Sequence, residues 1–89
     1  MKRLHRKLFR LNDKITELRQ EAEQVAAELE YHRLINEDAQ RDAAAGNYID
    51  REEAGLTAGD VRRFEQALVD LEVKTSRLAA KRDRLLAKL

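Results

Sequence analysis

Two stretches of the chain carry mainly apolar residues at alternating spacings of three and four, which are the a and d positions of a heptad repeat. Eighteen positions follow this spacing, and only three of them are polar, namely His32, Thr75 and Arg82. We expect Thr75 and Arg82 to disfavour alternative helix registers. The positions are Leu4, Leu8, Leu11, Ile15, Leu18, Ala22, Val25, Leu29 and His32, then Val61, Phe64, Leu68, Leu71, Thr75, Leu78, Arg82, Leu85 and Leu89.

The two stretches mirror each other about one point in the chain. Residue numbers at facing positions add to 93, as for Leu8 with Leu85 and Ile15 with Leu78, so the midpoint falls between Gly46 and Asn47. A chain that folds back about this point aligns both apolar stripes along a single seam. The pattern therefore predicts an all-α fold, a two-helix antiparallel coiled-coil hairpin that comprises residues 1–89 as one domain.

Helix-breaking residues are confined to the middle of the chain. The sequence has no proline, and its three glycines, Gly46, Gly55 and Gly59, lie within fourteen residues. We predict helix one over about 3–45, a tip over about 46–57 and helix two over about 58–89. Gly46 is expected to end helix one in the left-handed conformation, and a break is expected around Gly55.

Local motifs suggest how the tip is organised. Asp50 and Glu53, preceded by Ile49, form a candidate capping box with a hydrophobic staple, which predicts one short helical turn at 51–54. Thr57 with Asp60 offers a second cap for the long helix that follows. Five apolar residues are expected to close the tip as a small cap: Leu34, Ile35, Tyr48, Ile49 and Leu56.

A two-helix seam leaves its apolar residues half open, so a second interface is expected. Several apolar residues lie off the seam, and the candidates for a protein interface are Phe9, Tyr31, Val69, Val73 and Leu86. Homodimerisation into a four-helix bundle is the favoured interpretation, because two-fold dimers are the commonest oligomers. The alternative is a docking surface for another protein.

Charge is unevenly distributed along the chain. The net charge is +1, yet residues 1–14 and 74–89 each carry +5, whereas residues 15–73 carry −9. The hairpin would therefore be charge-polarised. The candidate anion-binding residues are Lys7, Arg10, Lys14, Lys81, Arg84 and Lys88.

The basic residues have several interpretations. They serve solubility alone, or they contact a nucleic-acid backbone, an anionic membrane surface, or the acidic middle of another copy or partner. The basic segments lack aromatic residues that stack on bases, with Phe9 as the single exception, so contact with nucleic acid would be nonspecific.

Acidic residues cluster near the turn, among them Asp42, Asp50, Glu52 and Glu53. Helix capping and solubility account for them without a metal. A hairpin with carboxylates at its tip is also similar in outline to the transcript-cleavage and secondary-channel factors that insert a coiled coil into RNA polymerase. That resemblance implies a transcription-associated function in which tip acids help to bind a metal.

Catalytic signals are weak. The chain has no cysteine and no glycine-rich phosphate loop, and His5 and His32 are too far apart to act together. We predict no enzyme activity, cofactor, metal or small-molecule substrate. No apolar run is long enough to span a bilayer, which together with the missing cysteines favours a cytoplasmic location. The favoured function is a non-enzymatic interaction module that self-associates or docks on a protein; the alternative is a small transcription-associated or nucleic-acid-binding hairpin.

Overall fold

A computed structural model describes residues 2–89 and shows two α-helices. Helix α1 spans Lys2–Ala45 and helix α2 spans Tyr48–Leu86, and only Gly46 and Asn47 separate them. The described residues contain no strand. The helices run antiparallel and pack on each other, so the predicted all-α hairpin is confirmed.

The hairpin divides into two compact units, each with a segment of both helices. The terminal unit comprises the residues up to Glu23 together with Val69–Leu89, and the turn unit comprises Gln24–Leu68. Each unit has its own seam and its own surface chemistry.

The seam of the terminal unit consists of apolar layers at the predicted a and d positions. Its buried side chains are Leu8, Leu11, Ile15, Leu18 and Leu71. Ile15 is the most enclosed, at 1% exposure. Thr75 is half-buried, and its hydroxyl donates a hydrogen bond to the Leu71 carbonyl at 2.8 Å. This bond within α2 allows a polar residue to occupy an otherwise apolar layer.

The seam of the turn unit is built from smaller and more polar residues. Its buried side chains are Leu29, Ala54 and Val61. The His32 ring stacks on Phe64 with 4.5 Å between ring centroids, and Tyr31 meets His32 edge-on at 5.7 Å. His32 therefore takes part in an aromatic layer between the helices.

The predicted break around Gly55 is wrong, since α2 begins at Tyr48 and continues through this position. The seam also continues towards the turn. Ala54 is buried, and half-buried residues occupy the remaining positions that follow the same heptads: Asn36, Ala39, Ala43, Asp50 and Thr57. Gly55 falls at the outward-facing b position with open space where a Cβ would lie, so it weakens the helix by about 0.5 kcal/mol relative to alanine without ending it.

The start of α2 is capped by a residue other than the predicted one. Asn47 is the N-cap, and its Oδ1 accepts hydrogen bonds from the backbone N–H groups of Ile49 at 3.0 Å and Asp50 at 3.2 Å. In return, the Asn47 N–H donates to Asp50 Oδ2 at 3.3 Å. Asp50 is thus the third helical residue of a capping box that begins at Asn47, not an N-cap paired with Glu53.

Gly46 ends α1, although not in the predicted left-handed conformation. No glycine among residues 2–89 has a positive φ angle. A Cβ atom added at Gly46 would lie 2.5 Å from the Asp42 carbonyl oxygen and would also overlap the Asp50 carboxylate. Glycine is required here because the cap residue Asp50 and the last turn of α1 approach the backbone too closely for a side chain.

The predicted apolar cap at the tip does not form. Leu34, Tyr48, Ile49 and Leu56 are all more than half exposed, and Ile35 is half-buried. Leu34 falls at an f position of α1. Because α2 is continuous, Tyr48, Ile49 and Leu56 fall at its b and c positions, which likewise point away from the seam.

The last predicted layer of the seam is also absent. Helix α2 ends at Leu86, and Leu89 lies beyond it with 58% of its surface exposed. Leu4, its predicted partner, is half-buried. Leu89 leaves the seam because it lies beyond the end of α2, where the helical geometry that would direct its side chain towards α1 is lost.

Candidate functional site

The six predicted anion-binding residues all belong to the terminal unit, and all are exposed. One groove of about 440 Å³ shows how this surface is organised. Lys14, Glu21, Lys74 and Arg77 line it at heptad positions g and c, drawn from both helices. The remaining lining residues are the seam residues Leu18, Leu71 and Leu78. We call this feature the basic groove.

The groove shows that the g and c positions of both helices share one flank of the terminal unit. Nine basic residues occupy those positions, and we call them together the basic flank. They are Arg3, Lys7, Arg10, Lys14, Lys74, Arg77, Lys81, Arg84 and Lys88. The flank contains all six predicted residues and adds Arg3, Lys74 and Arg77.

A second groove of about 250 Å³ lies along α1 alone. Arg3, Arg6, Lys7 and Arg10 line it, at the spacing of three and four that places residues on one helical face. Among residues 2–89, none of these four side chains forms an ion pair with a carboxylate. This face of α1 therefore presents uncompensated positive charge.

Some charged residues of opposite sign occupy facing g and e positions of the two helices. Glu21 with Lys74 and Arg19 with Glu72 are such facing pairs, and neither forms an ion pair within residues 2–89. The nearest contact of Lys14 is with Glu17 on the same helix, at 3.5 Å. Such exposed pairs contribute at most tenths of a kcal/mol, so these charges are free to meet a ligand.

The opposite flank of the terminal unit carries several exposed apolar side chains among polar ones. Arg82 marks this side, since its guanidinium reaches Asn12 at position e of α1 and Asp83 at position b of α2. Positions b and e of the two helices therefore share a flank. Four of the predicted interface residues lie on this side: Phe9, Val69 and Leu86 at b and e positions, and Val73 at the adjoining f position. Each has between 42% and 70% of its surface exposed.

Small side chains surround these apolar residues on α2. Ser76, Ala79, Ala80 and Ala87 occupy the b, e and f positions between and beyond Val73 and Leu86. Small residues let a second helix approach closely. We call the whole surface the apolar flank. The fifth predicted interface residue, Tyr31, belongs to the turn unit and contacts His32 there.

The four predicted acidic residues all lie in the turn unit but differ in their surroundings. Asp50 is half-buried and takes part in the cap of α2, whereas Asp42, Glu52 and Glu53 are exposed. Within residues 2–89, no three His, Asp or Glu side chains are placed to hold a metal ion. The structure thus assigns Asp50 a role in helix capping.

Sequence reasoning missed a surface formed by four residues near the start of α2. Ile49, Glu52, Glu53 and Leu56 line a shallow groove of about 260 Å³, and we call them the turn ridge. Ile49 and Leu56 are 68% and 67% exposed. The 3.6-residue period of these four positions was the available signal, but the predicted break at Gly55 concealed it.

A polar cluster between the helices of the turn unit was also missed. The Asn36 Oδ1 atom accepts hydrogen bonds from Gln40 Nε2 and from the Thr57 hydroxyl, both at 3.0 Å. Gln40 Nε2 also lies 3.0 Å from the Ala54 carbonyl oxygen. The numbers of Asn36 and Thr57 add to 93, so extending the seam rule would have found this pair. Thr57 contributes to this cluster instead of capping a helix.

Two further findings concern the chain as a whole. Neither helix contains, within residues 2–89, a segment long and apolar enough to cross a membrane. The chain matches no protein-family model, no curated protein and no solved structure.

Proposed function

We propose that this chain is a non-enzymatic interaction module in which hairpins associate through their apolar flanks to form a four-helix bundle. One observation carries the proposal: Phe9, Val69, Val73 and Leu86 are exposed on a single flank of the terminal unit, beside small residues of α2. Exposed apolar side chains that cluster on one surface are typical of interaction sites.

Burial of this flank provides a substantial driving force. Covering the exposed parts of the four side chains contributes about 3 to 6 kcal/mol per copy. A two-fold dimer uses the same flank on both copies, so one sequence feature supplies both halves of the interface. If copies do not pair, this flank instead binds a different protein.

The form of the grooves supports a binding function over catalysis. They lie open along helix surfaces, whereas small-molecule substrates are bound in concave pockets that enclose most of the ligand. His32, the histidine on the seam, is engaged in a stack with Phe64. A cytoplasmic location is part of the proposal, because a cysteine-free module of this kind needs no oxidising compartment.

Sedimentation equilibrium tests the proposal. At about 500 mM salt, where surface charges are screened, the wild-type chain is expected to be a dimer. The double variant Val69→Asp, Val73→Asp is expected to be monomeric because it places charges in the apolar interface. The matched control Gln24→Asp, Ala27→Asp adds two charges at exposed c and f positions of the turn unit and is expected to remain dimeric.

A wild-type chain that stays monomeric over the micromolar range would overturn the self-association. The proposal would then be that the apolar flank binds a different protein. Capture of that protein would have to be lost in the Val69→Asp, Val73→Asp variant but kept in the control.

A second candidate function rests on a different observation, the nine side chains of the basic flank. A stripe of lysine and arginine matches the phosphate backbone of a nucleic acid, as in a small transcription-associated or nucleic-acid-binding protein. Retention on random-sequence DNA at about 50 mM salt, falling steeply as salt rises, would support this function. An absence of retention at that salt concentration would exclude it.

A further inference from the structure

We propose a second contact between copies, in which the turn ridge of one copy binds the basic groove of another. This inference rests on the proposed self-association and names an additional pair of surfaces for it. The ridge consists of Ile49, Glu52, Glu53 and Leu56, and the groove lies in the terminal unit.

The groove combines an apolar floor with a charged rim. Leu18, Leu71 and Leu78 are its apolar residues, and Lys14, Lys74, Arg77 and Glu21 are its charged ones. Neither Lys74 nor Arg77 makes an ion pair within residues 2–89. Their charges are therefore available to a partner that also brings apolar side chains.

The turn ridge has the complementary chemistry. Ile49 and Leu56 expose two-thirds of their surface, and Glu52 and Glu53 lie between them. Among residues 2–89, neither glutamate forms an ion pair. The ridge therefore offers two apolar side chains to the floor of the groove and two carboxylates to its rim.

Length and charge also agree. The ridge extends over residues 49–56, and the groove extends over 14–21 of α1 and 71–78 of α2. Each of these segments is eight residues long, which is about two helical turns and about 10 Å. The rim of the groove carries three positive charges and one negative, and the ridge carries two negative charges, so the two net charges cancel.

The same complementarity appears in the units that bear these surfaces. The terminal unit has thirteen Lys and Arg against seven Asp and Glu, whereas the turn unit has five against ten. A second copy therefore supplies the acidic partner that the groove requires. A nucleic-acid backbone would pair with the basic residues at the rim of the groove, but it would leave Ile49 and Leu56 of the turn ridge exposed to water.

Charge reversal combined with sedimentation velocity tests the contact. At about 50 mM salt, the wild-type chain is expected to form species larger than those at about 500 mM, because the contact is electrostatic and salt screens it. Lys74→Glu with Arg77→Glu, or Glu52→Lys with Glu53→Lys, is expected to weaken these larger species at least tenfold, since close charge pairs across interfaces are coupled.

Restoration is the decisive measurement. The chain that carries all four reversals has an acidic groove and a basic ridge, so it is expected to regain the larger species. An equimolar mixture of the two double variants is expected to form mixed assemblies for the same reason. A loss caused by misfolding would not be restored in either way, and circular dichroism reports whether each variant keeps its helices.

Matched controls place the same charge changes elsewhere in each unit. Arg3→Glu with Arg6→Glu changes the terminal unit outside the groove, and Glu28→Lys with Glu37→Lys changes the turn unit outside the ridge. Both controls are expected to assemble as the wild-type chain does. If they disrupt assembly as strongly as the groove and ridge variants, general charge is responsible and the specific contact is refuted.

The outcome separates this contact from the proposed function. A dimer at about 500 mM salt without larger species at about 50 mM would overturn the ridge–groove contact and leave pairing through the apolar flank intact. The contact is likewise overturned if the four-fold reversal fails to restore assembly. If the groove variant loses only retention on random DNA, the groove serves a polyanion and the inference is wrong.

Discussion

The terminal unit and the turn unit are built on the same heptad repeat but have different interiors. In the terminal unit, five large aliphatic side chains are buried along the seam. In the turn unit, the seam contains the stacked His32 and Phe64 rings and the hydrogen-bonded cluster around Asn36. A heptad pattern thus determines where side chains point, while their chemistry determines whether a layer is held by apolar packing or by polar contacts.

The difference has a functional side as well. The terminal unit carries an excess of positive charge and the turn unit an excess of negative charge, each next to exposed apolar residues. The contact that we propose between copies would bring these two surfaces together, with opposite charges paired and apolar side chains covered.

The largest expected effect tests whether apolar packing is concentrated in the terminal unit. Ile15→Ala removes the most enclosed side chain and is expected to lower the free energy of unfolding by about 3 kcal/mol. Val61→Ala, in the turn unit, removes a smaller buried side chain and is expected to cost about 1.5 kcal/mol. Urea denaturation measures both, with the exposed Thr16→Ala as a control that changes little. Equal costs for Ile15 and Val61 would remove the contrast between the two interiors.

The next effect tests the polar organisation of the turn unit. Asn47→Ala removes the acceptor for two backbone N–H groups and is expected to destabilise the protein by about 1 kcal/mol. Asn47→Asp retains an acceptor and is expected to keep most of the stability. If the alanine variant is as stable as the wild type in thermal unfolding, Asn47 is not the cap of α2.

A third prediction concerns the polar residue in the apolar seam of the terminal unit. The Arg82 side chain is 25% exposed, and its longest contact, to Asn12, is 3.5 Å. Arg82→Leu is expected to raise the free energy of unfolding by about 0.8 kcal/mol and to raise the melting temperature, because it completes an apolar layer. Arg82→Lys serves as the control without this gain. A lower melting temperature in the leucine variant would mean that the contacts of Arg82 outweigh apolar burial.

The smallest effect tests the continuity of α2. Gly55 is exposed and helical, with open space where a Cβ would lie, so Gly55→Ala is expected to stabilise the protein by about 0.5 kcal/mol. A chain that broke at this position would gain nothing from a better helix former. Gly46→Ala is the informative contrast, since its Cβ would meet the Asp42 carbonyl and it is expected to destabilise the protein.

Most of the fold could be predicted from the sequence, because heptad spacing places side chains on one helical face whatever the tertiary context. The positions of Leu8, Leu11, Ile15 and Leu18 on the seam followed from spacing alone, and the structure confirms them. The turn at Gly46 followed from the mirror relation of the two stripes. The predictions failed where a local signal competed with the seam, above all at Gly55.

The candidate surfaces were only partly predictable. Basic residues near both termini were evident from charge, but their concentration on one flank depends on which heptad positions face each other. The turn ridge was missed because Ile49 and Leu56 were assigned to a closed tip. Their exposure depends on α2 being continuous, which in turn depends on contacts between the helices, such as the hydrogen bond of Thr57 with Asn36.

The sequence by itself determined that two helices form and where they turn, because helical period and helix-breaking residues act over a few neighbouring positions. The tertiary structure alone decided where α2 begins, which residue caps it, and which charged and apolar side chains share a surface. These features depend on contacts between residues distant in the chain. Gly55 could end a helix in isolation, but it remains helical because the residues on either side of it pack against α1.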